Sequence, residues 1–276
     1  MKQTHIPGIG FEYELEKKTI VTLALAMTKE NSKLSENGLR NFIRASSNLS
    51  DSLLKRKQPL INLFGKIQLG KNYTKIDEIN FVKYVPRETY ENYIKNGSFQ
   101  LSSLKKYREI ERSESRDERE GFSYLIINSG TRQIIASVLS GFNYLLLCGT
   151  DSITDDQFMR KKFGEVRLEI KNISSFADKI MTSIGAKSWD IQKVQYTDFK
   201  AFTFDYEIKD LNGVGPDLSE ELFSVLYSAS YTPSIFSKPT FFSPENEFRL
   251  IFEFDENVKN EININDISLL DDISIT

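Results

Sequence analysis

The sequence predicts an α+β fold. Short period-two strands recur between residues 79 and 254. Single helices are interspersed among them. Some strands follow one another directly, so strict strand–helix alternation is absent. The chain has 276 residues, 39% of them hydrophobic, with 20 Phe and 12 Tyr. That is enough for one large domain, or for a small domain plus a medium one.

Residues 1–15 read as irregular because Pro7, Gly8 and Gly10 interrupt them. Residues 16–68 read as mainly helical. Leu34, Leu39, Phe42 and Ile43 would share one apolar face. Leu49, Leu53, Leu54, Leu60, Ile61 and Phe64 would share another, after a helix start capped by Ser50 or Asp51. Gly65, Gly70 and Asn72 break that pattern. The expected organisation is a mainly helical segment over 1–75, an α+β domain over 76–256 and an acidic tail over 257–276.

Within the domain, 79–85 is a strand stopped by Pro86, which suits the first turn of a helix over 87–95. Asn96-Gly97 ends that helix. A strand begins at 98–102, and the very polar stretch 105–120 is a long connection or a charged helix. Strands follow at 122–128 and 144–148. Thr154, Asp155 and Asp156 cap a helix through Lys162. A strand at 165–170, a helix at 173–184 ended by Gly185 and a strand at 191–196 complete the middle. Residues 199–236 are ambiguous, with a helix over 218–227 turning Phe223, Leu226 and Tyr227 inward. A strand closes the series at 248–254.

Net charge is −3, so the chain as a whole has no pull toward nucleic acid or an anionic membrane. The distribution is uneven. Residues 1–75 hold 13 Lys/Arg against 6 Asp/Glu, a net of +7, whereas residues 251–276 hold 1 against 7, a net of −6. One Cys (Cys148) and one His (His5) exclude an intramolecular disulfide and leave no Cys/His zinc set and no His-based triad away from the N-terminus. Cys148 reads as a buried thiol in a core strand, and a reducing, cytoplasmic location is expected. The longest apolar run, residues 20–27, is too short to span a membrane. No P-loop, Rossmann fingerprint, His-Glu-x-x-His or EF-hand pattern is present.

Carboxylates, lysines and tyrosines at strand ends therefore remain as the reactive groups. Glu245, Glu247 and Arg249 alternate with Asn246, Phe248 and Leu250, and period-two spacing would place the three charges on one strand face. Such a face is either ordinary solvated surface or the wall of a polar cleft. The other candidates are Lys83 and Tyr84, Ser102 and Ser103, Tyr107 and Arg108, and Asp117 and Glu120.

In order along the chain these are Phe81-Val82-Lys83-Tyr84, Asn96-Gly97, Leu101-Ser102-Ser103, Tyr107-Arg108, Asp117-Glu118-Arg119-Glu120-Gly121, and Lys238-Pro239 with Glu245-Asn246-Glu247-Phe248-Arg249. The order resembles a group of bacterial proteins and is similar to the ADP-ribosyltransferase superfamily over residues 79–254. The resemblance implies a split antiparallel or mixed β-sheet core. It implies cleavage of NAD as substrate and transfer of ADP-ribose to a nucleic acid or protein acceptor, in a bacterial toxin or phage-defence effector restrained by an antitoxin or inhibitor protein. It gives Glu247 the ribose and Glu245 the acceptor, with Lys83 or Arg108 on the pyrophosphate and Tyr84 or Tyr107 stacked on nicotinamide. Ser102 falls at the second-strand serine element. The chain departs from the family by offering Lys83-Tyr84 where Arg or His is usual, and Ser102-Ser103 without the middle Thr.

Two other readings stand beside this one. Asp117, Glu120, Glu245 and Glu247 could hold a metal ion in a nuclease. Alternatively the chain is a non-catalytic interaction module, binding a partner through its N-terminal segment and acidic tail. The alternating tail, Ile262 to Ile275, could add a strand or dock on a partner, or fray.

Overall fold

The computed structural model describes residues 79–109, 117, 119–198, 200–209 and 220–276. Before residue 79 it describes four strands and Ser35, Asn37 and Gly38. The strands are β1 Lys2–Ile6, β2 Gly10–Leu15, β3 Thr19–Met27, β4 Asn62–Leu63, β5 Phe81–Val85, β6 Ser98–Ser103, β7 Phe122–Ser129, β8 Arg132–Ser140, β9 Tyr144–Asp151, β10 Val166–Ile170, β11 Ser188–Lys193, β12 Gln195–Tyr196, β13 Ala201–Asp205, β14 Ser237–Lys238, β15 Glu247–Glu253, β16 Glu261–Asn265 and β17 Ile273–Ile275. The helices are α1 Arg87–Asn92, α2 Leu104–Glu109, α3 Asp156–Phe163, α4 Ile173–Ile184 and α5 Glu220–Ile235. The fold is α+β, as expected. Among the described residues no helix is long and apolar enough to cross a membrane.

The chain divides into two compact units. The first gathers residues 1–72, 119–141 and 196–240, and the second residues 73–118, 142–195 and 241–276. The first unit carries a mixed seven-stranded sheet in the order β1-β2-β3-β8-β7-β13-β4. Strand β13 runs parallel to both β7 and β4. Helix α5 buries Leu222, Val225, Leu226 and Ala229 against Leu125, Ile127, Ile134 and Phe202 of the sheet.

The N-terminal expectation differs from this arrangement. Residues 1–15 were expected to be irregular and 16–68 mainly helical, whereas Lys2–Ile6, Gly10–Leu15 and Thr19–Met27 form three antiparallel strands. The run Thr19–Met27 is rich in β-branched and apolar residues, and it is buttressed by pairing with β8. The apolar helical faces expected between Leu34 and Phe64 lie outside the described residues, except that Asn62–Leu63 is a strand.

The second unit is built on an antiparallel sheet, β11-β15-β9-β5-β10-β17, with a side arm of β6 and β16. The branch lies on one edge of β9. Phe81 and Val82 of β5 pair with Asp151 and Thr150, while Ser102 and Ser103 of β6 pair with Leu146 and Leu145. Leu147, Cys148 and Gly149 lie between the two ladders. Gly149 is required there, because a Cβ would meet the Phe81 ring at 2.5 Å and the Val82 carbonyl at 2.7 Å.

One face of this sheet is the apolar core. It carries Phe81, Leu101, Leu145, Leu168, Leu250 and Phe252, covered by Phe176, Ala177 and Ile180 of α4. Helix α4 begins at the Asn172 cap and ends at Gly185, which has a positive φ of 66°. Phe99 and Phe176 meet edge-to-face at 5.5 Å. The acidic tail is folded into the unit rather than frayed. β16 pairs with β6 and β17 with β10, and Lys179 ties the intervening turn down by hydrogen bonds to Asp272 (2.8 Å) and Ser268 (2.7 Å).

Candidate active site

The second face of the same sheet is unlike the first. Period two places Asp190 and Gln192 of β11, Glu247 and Arg249 of β15, and Cys148 and Thr150 of β9 on it, and the registers Gln192↔Arg249↔Cys148 and Glu247↔Thr150 bring them side by side. Asp190, Gln192, Glu247, Arg249 and Thr150 are all buried. An antiparallel sheet usually wets the face opposite its core. Here that face mixes buried polar groups with Leu146, Ile251 and Val82, and Cys148 is half-buried, so the buried polar groups must satisfy one another.

They do so in pairs. Arg249 Nε donates to Glu247 Oε1 at 2.6 Å. Gln192 Nε2 donates to Asp190 Oδ2 at 2.8 Å. The Thr150 hydroxyl donates to the Glu245 carbonyl at 2.6 Å. Lys162 of α3 reaches Glu245 Oε1 at 2.7 Å.

Two groups from outside that face close on it at the split. Lys83, half-buried on β5, turns its Nζ to the Cys148 carbonyl at 3.0 Å. Burial lowers the pKa of this ammonium, opposed by Cys148 and then by Glu247. Tyr107 of α2 is hydrogen-bonded to the Cys148 side chain. Burial pushes its phenol well up, with Cys148 and Glu247 adding to the rise and Arg249 opposing it. Lys83, Tyr107, Cys148, Glu247 and Arg249 thus form one electrostatically coupled cluster where the sheet branches.

The expected residues divide between the two sides of β5. Tyr84 shares a side with Val82, which pairs with Thr150, whereas Lys83 pairs with Leu168 and reaches the cluster only where β5 and β9 part. The Tyr84 hydroxyl bonds Asp156 Oδ1 at 2.8 Å, and Tyr84 packs with Val82 and Met159 under α3. Burial and that bond raise its pKa. Ser102 shares the polar face at the β6 end, opposite Leu146, and Ser103 instead receives the Lys106 backbone N–H at 3.2 Å at the start of α2. Arg108 is half-buried on α2, one residue beyond Tyr107.

Glu245 is a correction of placement. It ends a 3₁₀ turn, Thr240–Glu245, and Asn246 has a positive φ of 46°, a conformation asparagine tolerates better than most residues. The extended chain starts only at Glu247, so period two does not carry back to Glu245. Glu247 and Arg249 share a face, as expected. Asp117 and Glu120 are both buried but fall in different units. Among the described residues, no group of three His, Cys, Asp or Glu side chains is placed to hold a metal ion.

Sequence reasoning passed over Cys148, Lys162, Asp190 and Gln192. Period two within residues 188–193 could have found Asp190 and Gln192. Lys162 carries no local signal, because its partner lies 83 residues away. Comparisons with family models, with curated proteins and with solved structures found no match to this chain.

Proposed function

We propose that the second unit is a catalytic domain of ADP-ribosyltransferase type that cleaves NAD and transfers ADP-ribose to a macromolecular acceptor. The observation that carries this reading is the convergence of Glu247, Lys83 and Tyr107 where the sheet divides at β9. Glu247 is the catalytic carboxylate. As the C1′–N bond to nicotinamide breaks, the bonding electron pair leaves with nicotinamide and positive charge develops on the ribose. A carboxylate held by Arg249 in a water-poor setting opposes that charge without reorganising. The acceptor nucleophile then bonds C1′ and gives up its proton. Lys83 supplies a cation for the pyrophosphate, and the Tyr107 ring supplies a flat surface for nicotinamide. The +7 balance of residues 1–75 favours a nucleic-acid acceptor, since cations contact phosphates. Toxin or phage-defence activity belongs to the same proposal.

The test is NAD consumption by the purified chain, with and without RNA, DNA or protein extract. Glu247→Gln should lower turnover by about 100- to 1000-fold, while Tyr84→Phe should leave it within about threefold because Tyr84 faces α3. NAD cleavage surviving in a folded Glu247→Gln protein sinks the proposal.

A further inference from the structure

A groove on the side arm of the second unit lies outside the cluster around Glu247. Its floor is one face of β6 and β16, where Ser98 pairs with Asn265 and Gln100 with Asn263. Its wall is Thr89 of α1 with Tyr93 and Ile94 just beyond. The open volume is about 580 Å³, within the range of small-ligand sites. Tyr93 is 57% exposed, so its aromatic side chain is accessible at the wall of the groove. Gln100 Nε2 bonds Asn263 Oδ1 at 3.3 Å, which aligns the two amides along the floor. The side chains of Thr89, Tyr93, Ser98 and Asn265 make no hydrogen bond to another described residue, so their polar groups are available to a ligand.

We propose that this groove binds an uncharged carbohydrate. No lining residue carries a charge. Of the charges on the elements around it, Lys95 pairs with Glu91 at 2.6 Å and Glu261 with Lys106 at 3.0 Å, while Arg87 and Glu88 of α1 lie outside the lining. A site for single-stranded nucleic acid needs cations along the phosphate track, and a site for an acidic sugar needs one at the carboxylate. Sugar hydroxyls both donate and accept, which matches amides and hydroxyls. The apolar C–H face of a sugar ring covers a tyrosine. The groove is one to two rings in size and is formed before any ligand arrives.

The experiment is titration calorimetry of the full chain with uncharged trisaccharides of glucose, galactose, mannose and N-acetylglucosamine. A sialylated trisaccharide and a short oligothymidylate serve as comparisons. At least one neutral trisaccharide should bind. Tyr93→Ala should weaken it by about tenfold, Tyr93→Trp should retain it, and Asn265→Ala should weaken it several-fold. Failure of all four neutral sugars, tighter binding of either anionic probe, or unchanged affinity in Tyr93→Ala overturns the inference. Glu247→Gln should bind the sugar like the parent chain, so this result and the NAD result can fail separately.

Discussion

The two faces of the second unit's sheet are built from the same strands, yet they follow opposite rules. On one, Leu145, Leu250, Phe252 and their neighbours pack on α4, and the stabilisation scales with the apolar area removed from water. On the other, Glu247, Arg249, Asp190 and Gln192 are just as buried, and burial of each group alone would be strongly unfavourable. A well-packed apolar face of similar volume would be as stable or more so. The polar face therefore adds little or nothing to stability beyond what an apolar one would give. The contrast makes the split at β9 the place to look for function, independent of any resemblance.

The largest expected effect breaks one partner of the buried pair. Arg249→Met removes the guanidinium bonded to the buried Glu247 carboxylate, and should destabilise the protein by about 3–5 kcal/mol in urea titrations. Arg249→Met combined with Glu247→Leu should recover most of that loss, because neither charge is then stranded. A single-variant cost below about 1 kcal/mol would place the pair in effectively wet surroundings, as for a surface salt bridge. The contrast between the faces would then collapse.

The apolar face should respond by volume instead. Ile180 is fully buried on α4. Ile180→Val should cost about 0.5–1.5 kcal/mol, with NAD turnover and sugar binding unchanged. A cost of several kcal/mol from one methylene, or lost turnover, would show that this face is tied to the site rather than separate from it.

How much of this was legible depended on the range of the signal. Helix α4 was read at its observed bounds because the signal over 173–184 and its stop at Gly185 are local. Glu247 and Arg249 were read as sharing a face because period two is local too. The same rule failed one step earlier, at Glu245, since Pro244 lies in a 3₁₀ turn that runs through Glu245 and a positive φ at Asn246 delays the strand to Glu247. Tyr84 was grouped with Lys83 by adjacency, although neighbours on a strand point apart. The N-terminal strands were missed because Leu, Ala and Met in residues 19–27 fit a helix equally well, and pairing with β8 decides the matter from more than a hundred residues away. The division of β9 between β5 and β6 has no local signature beyond Gly149. It follows from tertiary pairing, and so does the cluster that forms there.

The smallest effect is in the pH profile, and it separates Lys83 from Tyr107. Burial lowers the Lys83 pKa below its ordinary 10.5, against the pull of Cys148 and Glu247. Between the folded pKa and 10.5 the unfolded chain binds the extra proton, so stability should rise with pH. The penalty is present in full below that window and absent above it. Tyr107 acts in the opposite sense. Its phenol titrates well above the ordinary 10.0 when folded, under burial, Cys148 and Glu247, with Arg249 opposing. Above pH 10.0 the unfolded chain releases its proton first, and stability should fall. Urea titrations at successive pH values from 8 to 11 read both slopes. Lys83→Met should flatten the rise, and Tyr107→Phe should flatten the fall. The slope is the readout, because Lys83→Met also removes the donor to the Cys148 carbonyl and shifts stability at every pH. If both variants keep the parent's slopes, Lys83 and Tyr107 are solvated in the folded chain, and the cluster is open to water where the sheet divides.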